Sequence, residues 1–417
     1  MAYPVRPDAA GRPCWPIISL WLLSIAQYSY RYILQVNDTA DSHEYGPTPP
    51  LLSAIKYEIF LVFALYCVFR FCRKSIPIHR RYLVLAWVTA GLVLALLAVF
   101  VGRLVTEPGD LSNTILSLVQ FLPWVCSAFF VPLAFDQQHS LDRTLSTFER
   151  ITFWIALPFW AVTVALAIAG VRYPALSYPG VIVRFGGILD DPNAYAGLCV
   201  LLIILAVTFK SRAWRARACV YGLMLLPTLS LSGYVMAIAT GVYLVASPLW
   251  KPIDRFRPSA LKLCVRSAIA MCILAASAWI YQANEPLIDA ISSIYSAKSN
   301  SAGNHLSNLL PASMMFDISS PITIWLGGGG YSESFYWRML INFGWLGFLI
   351  VVCLVILWVC EALPYTDRYY RPIAAWLIGF LVASNGIAYV LLFPISLLFW
   401  SILSLLVLIR TPEPASI

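Results

Sequence analysis

Charge is scarce in this chain. Asp, Glu, Lys and Arg make up 12% of its 417 residues and hydrophobic types 60%, against roughly 25% and 45–50% in soluble domains. Such a balance excludes water as the solvent for most of the chain and predicts an integral membrane protein. Histidine is rarer still, at four residues, and no His, Cys, Asp or Glu cluster has zinc spacing, so neither a metal nor a cofactor is expected. The ten cysteines fall in apolar segments or in loops assigned to the inner side. None lies in an outer loop, which excludes an outer disulfide framework. The glycine run at Gly327 to Gly330 is not followed by Lys-Ser or Lys-Thr, so it is no phosphate loop, and no GxSxG, heptad pattern, internal repeat or low-complexity tract occurs.

Long apolar runs are what the chain has in abundance. A bilayer core takes about 20 apolar residues per helix, and suitable runs lie at 17–34, 51–69, 82–105, 113–135, 151–171, 194–209, 218–231, 234–249, 267–281, 339–360, 373–392 and 394–409. The expected fold is therefore an all-α polytopic membrane protein of about 12 transmembrane helices, forming a single transmembrane domain over residues 1–417. The run at 218–231 is short for a span, and the SGY that follows predicts a break or a re-entrant turn. The first run is long, lacks a small-residue cleavage pattern and is followed by further spans, so it is expected to act as a signal anchor. Residues 137–150 have weak amphipathic spacing, which predicts a segment lying along the inner surface.

With both termini inside, all but seven of the 28 Lys and Arg fall on the inner side, as the positive-inside rule requires. The net charge of +8 then reflects topology and argues against a nucleic-acid partner. The seven are Arg31, Lys56, Arg103, Arg172, Arg184, Lys298 and Arg338. Twelve of the 20 acids face outward on the same assignment. Between the ninth and tenth spans runs the one long polar interval, residues 284–338; a long outer loop in a chain of short turns usually carries chemistry or gating.

Candidate residues each admit two readings. Asp191 before Pro192 suits a helix N-cap with proline at the first helical position. Arg184, in the apolar outer stretch VIVRFGG, either snorkels to headgroups or is held for an anion. His305 in the long loop is either solvated or an acid-base group, since its ordinary pKa lies near 6.5. Glu333 follows the glycine run, which suits a tight or mobile backbone approach; Ser332 or Ser334 can cap the next helix, and Glu333 in its first turn would complement the helix dipole. Arg338 and Asn342 share a helical face at i and i+4, with snorkelling again the bland reading of the arginine. Lys56 and Glu58 enter the second span from outside, and Arg31 or Arg103 would make a structural partner for Glu58.

Two stretches, RFGGILDDPNAYAGLCVLL and GGGGYSESFYWRMLINFGWLGFLIVV, together with the weaker PTLSLSGYVMAIATG between them, resemble the signatures of the bacterial O-antigen polymerase and O-antigen ligase superfamily over roughly residues 180–350. The resemblance implies transfer of glycan from a polyprenyl-pyrophosphate-linked oligosaccharide donor to an acceptor at the periplasmic face of the bacterial inner membrane. Both termini would be cytoplasmic and residues 284–338 a long periplasmic loop. It further implies inverting glycosyl transfer, with Arg184 on the pyrophosphate, Arg338 as a second phosphate or glycan contact, and Glu333 or His305 as base. Asp191, Asn193, Tyr331 and Asn342 would be substrate contacts, and a chain-length regulator and a flippase would be partners. Ligases of this superfamily tend to carry a histidine near the position of Glu333; its absence here favours a polymerase of repeat units over a ligase to lipid A core. The remaining alternatives are a transporter or flippase of lipid-linked glycans, for which broken helices meeting at mid-membrane are expected, and an export subunit without chemistry.

Overall fold

A computed structural model describes residues 11–35, 50–73, 80–106, 111–136, 138–169, 177–178, 182–183, 185–189, 191–246, 321–330, 332–362 and 370–410. These are overwhelmingly helical. In chain order the helices are α1 (Trp15–Gln35), α2 (Pro50–Arg73), α3 (Arg80–Thr106), α4 (Ser112–Ala134), α5 (Leu141–Ile168), α6 (Pro192–Phe209), α7 (Trp214–Leu225), α8 (Leu231–Ala246), α9 (Pro321–Leu326), α10 (Phe335–Ala362), α11 (Arg371–Ala383) and α12 (Ile395–Arg410). A two-residue antiparallel pair, β1 (Ser177–Tyr178) with β2 (Ile182–Val183), precedes α6. Among the described residues, five helices are long and apolar enough to cross a membrane, within α3, α4, α5, α6 and α10. Shorter apolar helices lie in α1, α8, α11 and α12. The chain is thus an all-α membrane protein. The expected span at 267–281 lies outside the described residues.

Three expected elements differ. Residues 141–150 do not form a surface segment but begin α5, with Leu141, Leu145, Phe148 and Glu149 buried. Their weak amphipathicity reflects a helix packed on one side against α1 and α6. The run at 373–392 is helical only to Ala383. From Ser384 the chain makes successive turns, carried by bonds such as Asn385 N–H to the Val382 carbonyl (3.2 Å) and Leu391 N–H to the Ala388 carbonyl (2.8 Å). Tyr389, Val390, Leu391 and Phe393 are buried there. Hydropathy reports apolar composition and not helicity, and irregular backbone is tolerated at membrane depth where protein surrounds it. Third, the run at 339–360 belongs to a helix that starts at Phe335 and is interrupted at Gly344 (φ 61°, ψ −168°). No break falls at SGY, which lies inside α8; instead the run at 218–231 is itself interrupted, by a 3-10 turn at Leu226–Thr228 between α7 and α8.

α12 is the centre of the bundle. Every residue from Ile395 to Val407 is buried, as a helix apolar on all faces must be, and it packs chiefly against α4 and α10. Trp400 meets Phe121 of α4 and Trp358 of α10 edge to face, at 6.3 and 6.4 Å between ring centroids. Lipid offers apolar side chains no hydrophobic drive to associate, so close packing must hold the helices together. Glycine provides it between α8 and its neighbours: a Cβ on Gly379 of α11 would collide with the Thr240 hydroxyl of α8, and one on Gly233 of α8 with the Ala196 Cβ of α6.

One end of the bundle is rich in ion pairs. Arg217 of α7 donates from Nε to Glu149 of α5 at 2.8 Å, and the Tyr221 hydroxyl donates to the same carboxylate at 3.2 Å. Arg70 of α2 pairs with Asp136, which also meets His139 Nδ1 at 2.8 Å. This end carries Arg70, Arg217 and the start of α5, and is called the basic end below.

Candidate functional site

The opposite end, called the turn end, gathers the starts of α4, α6, α8 and α10, the last turn of α3 and the turns after α11. Its organising feature is the interruption of α10. At Gly344 the backbone enters the left-handed half of conformational space, which glycine adopts without penalty. The carbonyls just before the break take bonds from outside the helix. Gly328 and Gly329 N–H donate to the Ile341 carbonyl at 3.0 and 3.1 Å, and Arg103 Nη1 donates to the Asn342 carbonyl at 2.8 Å.

Two glycines let these backbones meet. At Gly327 (φ 89°) an added Cβ would lie 2.5 Å from the Asn342 carbonyl carbon, and one at Gly344 would collide with the backbone of Trp325. The glycine run thus makes a tight backbone approach, as its composition suits.

Arg338 lies in the first turns of α10, six residues before the interruption, and is buried. Its Nε donates to the Ser117 hydroxyl of α4 at 2.9 Å. A snorkelling arginine would be exposed, so that reading does not apply. Arg103, near the end of α3, is buried too and donates from Nη1 to the Thr114 hydroxyl. Thr114 and Ser117, three residues apart, share one face of α4 and so serve one arginine each. Asn342 joins the parts: its Nδ2 donates to the Gly330 carbonyl (2.9 Å) and the Arg338 carbonyl (2.8 Å), and its Oδ1 accepts from Thr114 (3.0 Å). The i, i+4 relation of Arg338 and Asn342 seen in the sequence is thus a bonded one, though it runs through the Arg338 carbonyl and not its guanidinium.

Glu333, half-buried, precedes α10. Ser332 accepts the Ser334 N–H at 3.2 Å, and the Phe335 N–H donates to the Ser384 carbonyl at 3.0 Å. The start of α10 is therefore tied to the turns after α11.

A second polar group sits on the other side of those turns. The Asp191 carboxylate accepts from Asn193 and Ala194 N–H at 2.7 and 3.2 Å, the N-cap reading. The Asn193 side chain accepts from Ser230 at 2.8 Å, and its carbonyl accepts from the Tyr389 hydroxyl at 2.9 Å. Phe185 N–H donates to the Pro227 carbonyl at 3.0 Å. The first stretch and the weaker third stretch thus abut directly, whereas the glycine stretch joins them through residues 384–394. Gly187 (φ 55°) makes room for the Tyr195 ring, which a Cβ would overlap.

Arg184, His305 and Tyr331, together with most of the loop at 284–338, lie outside the described residues. Of the described candidates, Arg338 and Asn342 share one network, Glu333 stands at its edge, and Asp191 and Asn193 belong to the second group. Arg103, Thr114, Ser117 and Tyr389 had not been singled out for this site. The sequence offers Arg103 as a partner for Glu58, yet it points to α10 while Glu58 is exposed. An arginine closing the apolar run FVGRLV was the available signal. Among the described residues no group of His, Cys, Asp or Glu could hold a metal ion.

An apolar groove of about 720 Å³ runs between α10 and α11 beside the site, lined by Tyr336, Trp337, Leu340, Trp345, Phe348 and Ile378 among others. No protein-family model and no curated protein matches the chain.

Proposed function

We propose that the chain polymerises polyprenyl-pyrophosphate-linked oligosaccharide repeat units into a polysaccharide, whether O-antigen, capsule or exopolysaccharide. The reaction takes place at the periplasmic face of a bacterial inner membrane, on a fold of about twelve spans with both termini cytoplasmic and one long periplasmic loop. An acceptor sugar hydroxyl attacks the anomeric carbon of the donor, the bond to the carrier pyrophosphate breaks, and the configuration inverts. The acceptor proton passes to Glu333 or His305. Negative charge accumulates on the departing pyrophosphate at headgroup depth, where fixed guanidinium groups stabilise it well; Arg338 and Arg184 take that role.

The observation that carries this reading is the burial of Arg338 at the head of an interrupted helix, oriented by Ser117 and set beside the glycine turn and Glu333. A guanidinium held in one orientation is pre-organised for a developing anion. The apolar groove between α10 and α11 suits an isoprenoid chain whose pyrophosphate would lie at this end.

A second reading, a transporter or flippase of lipid-linked glycans, is favoured by one feature: α10 is interrupted at Gly344 and residues 384–394 leave the helix within the apolar region. Discontinuous helices are common at transport sites. Here both breaks lie with the start of α10 at the turn end, not midway along the bundle, so the transfer reading is preferred.

Gel analysis of surface polysaccharide in a deletion strain decides among them. A polymerase leaves single repeat units on lipid A core. A ligase leaves core without repeats while polymer persists on the carrier. A flippase leaves neither, with unpolymerised carrier-linked repeats held on the cytoplasmic side.

A further inference from the structure

We propose that Arg103 is the positioning residue of this site, setting Arg338 and the glycine turn through Thr114 and Asn342; the proposal rests on the reading that Arg338 serves the reaction. Direction along the hydrogen bonds makes the case. A guanidinium can only donate. The Thr114 hydroxyl, which accepts from Arg103 Nη1, therefore turns its own proton onward, and it reaches Asn342 Oδ1 at 3.0 Å. With Oδ1 so engaged, the amide nitrogen of Asn342 must face the other way, toward the carbonyls of Gly330 and Arg338 at 2.9 and 2.8 Å. Arg103 thus decides which way the Asn342 amide points, although the two lie 239 positions apart in the chain.

The same nitrogen supports the interruption itself. Arg103 Nη1 also donates to the Asn342 main-chain carbonyl, beside the Ile341 carbonyl that takes the N–H groups of Gly328 and Gly329. One side chain from α3 therefore closes a ring through α4 and α10 that holds the glycine turn against the first half of α10, the half that carries Arg338. Both bonds leave from one nitrogen, so an ammonium with three donors can reproduce the pattern in part, whereas an apolar side chain of similar length cannot.

Hydrogen–deuterium exchange of the purified full-length protein tests this apart from any assay of activity. In Arg103→Met, residues 327–346 should exchange at least tenfold faster while α5 and α7 at the basic end stay as in the parent. Arg103→Lys should restore most of the protection, and Thr114→Val, which removes the relayed proton without touching a charge, should reproduce the local loss. In a deletion strain, long-chain polysaccharide should fall with Arg103→Met and return substantially with Arg103→Lys. Unchanged exchange at 327–346 in both Arg103→Met and Thr114→Val overturns the proposal, and so does a rise spread evenly over the whole chain. Normal chain length in Arg103→Met when Arg338→Ala has lost it also overturns it. Normal chain length in both, with the local exchange loss present, upholds the link from Arg103 to the turn and instead brings down the assignment of Arg338 to the reaction.

Discussion

At the basic end Arg217 lies against the Glu149 carboxylate and the Tyr221 hydroxyl, whereas at the turn end Arg338 reaches the Ser117 hydroxyl and Arg103 reaches Thr114 and a main-chain carbonyl. All three arginines are buried, yet the partners do different things. A carboxylate neutralises a guanidinium and ties two helices together. Hydroxyls and carbonyls fix the direction of a guanidinium, which suits a group that must meet a developing anion. The first kind of contact is architecture, and the second is the kind from which a site is made.

The largest expected effect falls on the first kind. Arg217→Ala leaves the Glu149 carboxylate buried without its ion-pair partner and should cost about 3–5 kcal/mol of stability, read as a lower unfolding temperature in detergent, while whatever protein inserts should still build polymer of normal length. Polymer loss at unchanged stability would erase the distinction between the ends.

Arg338→Ala should do the reverse, keeping protein level and lowering transfer by about 10²–10³-fold, the usual effect of removing one stabilising donor. Repeat units would then accumulate on the carrier. Glu333→Ala should give the same accumulation, and normal chain length in both variants ends the assignment of the site.

Gly344→Ala joins the two kinds of effect. It puts a Cβ at positive φ against the Trp325 backbone and should cost about 1–3 kcal/mol, with local exchange at the glycine turn rising before global unfolding. Equal stability and equal exchange would show that the interruption of α10 does not depend on glycine.

Asp191→Ala should cost about 1 kcal/mol as a lost N-cap, and Asp191→Asn much less. If Asp191→Ala instead abolishes polymer at near-parental stability, Asp191 belongs with Arg338 as a ligand contact and not with the architecture.

The smallest effect is chemical. Burial pushes the Cys14 thiol, just ahead of α1 at the basic end, up to about 12. Only the thiolate reacts, so at pH 8 Cys14 should resist alkylation in the folded protein while exposed Cys72 is modified. Mass spectrometry of the labelled chain reads the difference, and equal labelling would show the basic end to be open.

Much of the fold was legible because it depends on local physics. Apolar run length placed most helix boundaries within a few residues, and Asp191 with Pro192 announced the start of α6 by capping chemistry alone. The glycine run at 327–330 announced a close backbone approach but not what approached it. Residues 384–394 misled, since burial by neighbouring helices makes an apolar run without making it helical. Arg338 and Asn342 could be placed on one helical face, but the sequence offered no way to see that Arg103 would complete their network.

By itself, then, the sequence determined that the chain lies in a membrane, where most of its helices run and which end collects polar residues, because these follow from composition and from interactions within a few residues. Only the tertiary structure decided where α10 breaks and which carboxylate, hydroxyls and carbonyls the buried arginines meet. Those outcomes depend on partners from α3, α4 and α5 that meet α7 and α10 across tens to hundreds of positions, and no local pattern carries that information.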